Sequence, residues 1–121
     1  MGYFLNVHEG PQVFNATATA VPIELGMITS IEPGVYRPGK HGIRIENLVL
    51  TIKDQVNEFN EFYAFESLTL APIDTTIVKR ELLEQAHIDW LNTYHEQVYA
   101  ALRPFLTTDE QVFLKEMTKA I

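Results

Sequence analysis

The 121-residue chain contains no cysteine, which removes disulfide frameworks, thiolate metal sites and cysteine nucleophiles at one stroke. Positive charge is also scarce. Nine Lys and Arg stand against sixteen Asp and Glu, for a net charge of −7, and the basic residues are scattered along the chain. A surface that neutralises phosphates needs clustered cations, so nucleic acid is excluded as a partner. No apolar run approaches the roughly 20 residues of a membrane helix, so no membrane partner is expected either. The opening residues lack a basic leader and a cleavage site, and a myristoylation signal would want Ser or Thr where Asn6 stands. These absences, with that of cysteine, suit a cytoplasmic protein. What remains is 46% hydrophobic and 21% charged, a balance that supports one folded domain with a modest core.

Two segments of different periodicity are expected, 1–72 and 73–121. The first reads as strands and turns. Tyr3–His8 is a short apolar strand ending at Glu9-Gly10-Pro11, and Asn15–Pro22 is a polar, exposed loop. Met27–Glu32 is a strand stopped by Pro33-Gly34, a pair suited to the centre of a type II turn. After the loop Arg37–Gly42 comes the clearest strand, Ile43–Ile52, and then a further one over Phe62–Leu70. In the second segment Leu83, Ala86, Trp90, Tyr94, Val98, Ala101 and Phe105 recur at three- and four-residue steps, predicting an amphipathic helix that Pro104 ends. Thr107 and Glu110 form a capping box for a last helix carrying Val112, Phe113 and Met117.

Chemistry is signalled by carboxylates where apolar residues belong. On Ile43–Ile52, alternation puts Arg44 and Glu46 on the same face as Leu48 and Leu50, and Glu32 ends an apolar strand. If that face is covered, an ionised carboxylate there needs a cation. A hairpin joining the two strands would bring Glu32 and Glu46 to one point, where hard divalent cations find the oxygen ligands they prefer. The residue pattern alone favours a structural ion pair of Arg44 with Glu46 or Glu32 over a metal site.

Three motifs in order add weight. Phe4-Leu5-Asn6-Val7-His8-Glu9-Gly10-Pro11, then Ser30-Ile31-Glu32-Pro33-Gly34, then Gly42-Ile43-Arg44-Ile45-Glu46-Asn47 resemble successive segments of the aminopeptidase P branch of the creatinase-like M24 metallopeptidases. Phe65–Asp74 and Asp89–His95 resemble the C-terminal extension of its long cytosolic members. The resemblance implies an α/β (α+β) fragment of a pita-bread fold: a curved, mainly antiparallel sheet from the catalytic domain over 1–72, then two helices of the extension over 73–121. It further implies two divalent metal ions, manganese in the common case, held by two aspartates, one histidine and two glutamates. By position Glu32 and Glu46 match the two glutamate ligands, with Glu32 also able to accept the proton of the attacking water. Arg44 matches the arginine that orients them. His8 matches a non-ligand histidine that meets the substrate.

The implied parent activity is hydrolysis of the bond between an N-terminal residue and a following proline, with a proline-containing peptide as substrate. The family's histidine ligand and two aspartates belong upstream of Gly2. Met1 is therefore expected to be an internal point of a longer reading frame, or a chosen boundary, and the fragment is expected to be inactive and to hold metal weakly. Two other expectations compete: a non-catalytic peptide-binding or scaffold module, and a homodimer formed through strands or apolar surface left without partners. His41 is expected to be solvated, and His87 and His95 solvated or packed rather than ligating. Asn15-Ala16-Thr17 matches a glycosylation sequon, without meaning in a cytosolic protein.

Overall fold

A computed structural model describes residues 6, 8–14, 17 and 21–121. The strand expected over Tyr3–His8 falls largely outside them, as does most of the loop 15–22. The chain divides into two compact units, Met1–Thr69 and Leu70–Ile121.

Among its described residues the first unit holds five strands, all paired antiparallel: β1 (Ile28–Ile31), β2 (Gly34–Arg37), β3 (His41–Arg44), β4 (Asn47–Val56) and β5 (Glu61–Ser67). One sheet has the order β1-β4-β5, and β2 pairs with β3 in a second. Val49 and Thr51 on β4 are its buried residues among those described. They point to one face, as the two-residue period requires.

Two expectations change here. Pro33-Gly34 makes no turn: Gly34 opens β2, and the glycines with positive φ are Gly26 (84°) and Gly39 (68°). The turn is made by the second Pro-Gly pair. Pro38 and Gly39 sit between Arg37 and Lys40, whose N–H donates to the Arg37 carbonyl at 2.9 Å; this is the type II pattern of proline followed by a positive-φ glycine. The expected strand Ile43–Ile52 is broken at Ile45-Glu46 into β3 and β4, and β4 runs on to Val56. Opposite the break stands Pro33, which has no N–H to give a ladder.

The second unit is helical. After a single 3-10 turn at Arg80–Leu82 comes α1 (Gln85–Leu102), then a 3-10 turn at Arg103–Phe105 containing Pro104, then α2 (Thr108–Met117). The capping box is formed in full. Glu110 N–H donates to Thr107 Oγ1, and Thr107 N–H to Glu110 Oε2 at 2.8 Å. The core gathers Leu91, Tyr94 and Val98 of α1 with Leu114 of α2, and Ile73, Leu102, Leu106 and Ile121 pack around it.

The buried face of α1 is Ile88, Leu91, Tyr94, His95 and Val98. It is rotated from the expected stripe, of which Trp90 and Phe105 are 55% and 85% exposed. Tyr94 and Val98 belong to both faces. The strict four-residue steps upstream of them drift off a 3.6-residue helix, whereas the steps through Ile88 and Leu91 stay on it.

Candidate metal centre

Backbone register sets the geometry. β1 and β4 pair as Ile28↔Leu50 through Ile31↔Asn47, and β2 and β3 pair as Gly34↔Arg44 through Arg37↔His41. One step beyond Ile31↔Asn47 opposes Glu32 to Glu46. The next opposes Pro33 to Ile45, where the Ile45 N–H donates to the Pro33 carbonyl at 3.4 Å. The two ladders thus share a single register across the break, and Glu32 and Glu46 face each other at the gap between them. Directly opposed residues of an antiparallel pair lie on one face of the sheet.

Each carboxylate has a local partner. Ser30 Oγ donates to Glu32 Oε1 at 2.8 Å, and Arg44 Nε pairs with Glu46 Oε2 at 3.1 Å. Arg44 Nη1 also donates to the Tyr36 hydroxyl at 3.5 Å. The guanidinium is held above its ordinary value, first by the Tyr36 hydrogen bond and charge, then by Glu46, with a smaller pull from Glu32. Both glutamates therefore lie within electrostatic reach of one cation. The apolar covering expected over this face is not found among the described residues: the Arg44 and Glu46 side chains are 50% and 33% exposed. At that exposure the pair contributes little to stability.

No role for Tyr36 was read from the sequence, and two glycines explain its position. A Cβ on Gly34 would come within 2.8 Å of the Tyr36 ring and hydroxyl, and one on Gly42 within 2.7 Å of the ring. The ring lies across both glycines, which leaves its hydroxyl next to Arg44. Hydrogen at these two Cα positions is what lets an aromatic side chain lie flat on the hairpin.

His8 and Glu32 line one cleft of about 690 Å³ together with Glu9, Gly10, Gln12, Val13, Phe14 and Ile28–Pro33; Glu46 is not among its walls. His8 is exposed. Gln12, which the motif reading passed over, fastens the cleft's two sides. Its Nε2 donates to the Ile28 carbonyl at 3.0 Å and to Thr29 Oγ1 at 3.2 Å. Phe14 meets Phe65 edge-on at 5.8 Å. The even-numbered residues of β1 turn their backbone groups away from β4, so an amide side chain approaching that edge finds a free carbonyl. No group of three or more His, Asp or Glu gathers among the described residues. The donor set here is two opposed carboxylates, hard oxygen ligands of the kind a divalent cation takes.

Comparison with known proteins agrees in both halves of the chain. Residues 1–53 match metallopeptidase family M24, and residues 61–121 match the C-terminal region of peptidase M24. A probable Xaa-Pro aminopeptidase P of Coprinopsis cinerea is 38% identical over all of this chain and 21% of its own length. Aminopeptidase P1 of Arabidopsis thaliana is 40% identical over all of this chain and 20% of its own. The crystal structure of X-prolyl aminopeptidase from Caenorhabditis elegans, described as a cytosolic enzyme with a di-nuclear active site, superposes with a TM-score of 0.85 and 41% identity over 99% of this chain and 20% of that one. The expected α/β fragment of the pita-bread fold is thereby shown. The chain spans about a fifth of the length of the relatives it matches, and it belongs to the M24 metallopeptidase family.

Proposed function

We propose that this chain is the C-terminal part of a two-metal Xaa-Pro aminopeptidase, in which Glu32 and Glu46 are metal ligands, Arg44 orients them and His8 faces the peptide substrate. The single observation that carries the proposal is the shared register that opposes the two glutamates across the β1–β4 and β2–β3 ladders. When bound, a pair of divalent ions, manganese in the family's common case, supplies an activated water and polarises the scissile carbonyl. The chain's own residues do the rest. Glu46 is held by Arg44, which is held in turn by Tyr36, so the carboxylate keeps one orientation. Glu32, tethered by Ser30, can take up a proton from water at its free oxygen. His8 lines the same cleft as Glu32, where it can donate to a peptide carbonyl. The parent would cleave after an N-terminal residue that precedes proline, in the cytoplasm like the C. elegans enzyme. No described helix is long and apolar enough to cross a membrane.

With two carboxylates and no third donor beside them among the described residues, the chain alone is expected to bind manganese weakly and to release nothing from an Xaa-Pro peptide. Adding manganese to ¹⁵N-labelled protein should broaden the amides around Glu32 and Glu46 first, and Glu46→Gln should abolish that selectivity. Broadening spread evenly over the acidic surface would count against the ligand assignment. Manganese-dependent release of an N-terminal residue by the purified chain would overturn the expected inactivity.

A further inference from the structure

The second unit holds a buried titratable group for which the metal centre has no use. His95 is fully buried on α1, at the three-four-three spacing Ile88, Leu91, His95, Val98 that otherwise carries apolar side chains. Its Nε2 accepts the backbone N–H of Ile73 at 3.1 Å, and one residue earlier on the helix the Tyr94 hydroxyl donates to the Ala71 carbonyl at 2.8 Å. Two consecutive side chains thus hold the backbone at Ala71 and Ile73, where the helical unit begins. A nitrogen that accepts carries no proton, so the neutral ring is the Nδ1–H tautomer. Nδ1 is buried without a hydrogen-bond partner.

We propose that His95 is a proton-operated clasp: uncharged, it fastens the segment 71–73 to α1, and taking up a proton at Nε2 releases it. The chemistry leaves no alternative site for the proton, since Nδ1 already bears one. Once Nε2–H forms, it points at another N–H. Burial lowers the affinity of the ring for that proton, so the clasp stays shut near neutrality. The backbone at Lys119 and, to a smaller degree, at Ile73 opposes this lowering in part. The charged side chains on the segments that touch the ring are engaged elsewhere. Asp74, beside Ile73, accepts from the Thr76 hydroxyl at 2.7 Å, and the Lys119 ammonium pairs with Glu116 at 2.5 Å. On the helix itself Tyr94 is bound to Ala71 and Glu96 is exposed.

The sign follows directly. A histidine whose folded value is depressed supports the fold fully above its unfolded value of about 6.5, and that support is lost as pH falls below it towards the folded value. Amide exchange on the chain, corrected for its intrinsic pH dependence, tests the idea. Protection of the Ile73 amide should fall at least about tenfold between about pH 7.5 and about pH 5, while Val98, buried in the C-terminal third of α1, keeps its protection. His95→Gln, whose amide oxygen can accept from Ile73 without titrating, should make the Ile73 profile flat. Unchanged protection at Ile73, or equal loss at Val98, would overturn the clasp. Should the variant not fold, the imidazole ¹⁵N spectrum of the unaltered chain still decides: the Nδ1–H tautomer at neutral pH is required, and the Nε2–H tautomer would end the proposal.

Discussion

Leu70–Ile121 wraps Leu91, Tyr94, Val98 and Leu114 into a closed core. Met1–Thr69 buries Val49 and Thr51 among its described residues and leaves Val35, Ile43, Val56 and Phe59 between 49% and 82% exposed. The first can stabilise itself by removing apolar surface from water. The second relies on ladder hydrogen bonds and presents several large apolar side chains outward. The closed apolar core and the two candidate ligand carboxylates thus lie on different stretches of one short sequence.

That division can be broken by mutation. Leu91→Ala, which empties part of the helical core, should cost about 2–5 kcal/mol and unfold the helices in a denaturant titration followed by circular dichroism. Phe59→Ser, in the exposed connection between β4 and β5, should leave the same midpoint within about 0.5 kcal/mol. Equal losses would mean that the strands and helices share one core. A smaller effect is expected from Thr107→Ala, which deletes the side-chain acceptor at the start of α2: about 1 kcal/mol, read as a lower melting temperature of the helical signal. Smallest in stability is Gly42→Ala. Its methyl group would displace the Tyr36 ring, moving the tyrosine and Arg44 Nε resonances while the unfolding midpoint stays within about 0.5 kcal/mol. Unmoved resonances would show that the ring does not rest on the glycines.

The local signals proved the easiest to read. Thr107 with Glu110 is a four-residue pattern whose bonds close within itself, and it formed as expected. The opposition of Glu32 and Glu46 was legible too, because a Pro/Gly-rich connection between two strands implies a hairpin. What could not be read was which Pro-Gly pair makes the bend. Pro33-Gly34 and Pro38-Gly39 are the same dipeptide, and the choice is fixed by cross-strand pairing several residues away. For His95 the sequence left solvated and packed open, for a different reason. Its spacing with Ile88, Leu91 and Val98 is that of a buried face, but an imidazole counts as polar until Ile73 is known to supply its partner.

The hairpin from Gly34 to Arg44 also limits how this region can change over evolutionary time. Its tip at Pro38–Lys40 lies beyond the last pair of the ladder, so length added there extends an arm and leaves the acidic pair where it was. A single residue gained on one arm alone would turn one of the two glutamates to the reverse side of the sheet. Insertions in relatives should therefore gather at the tip, or come as matched additions to both arms.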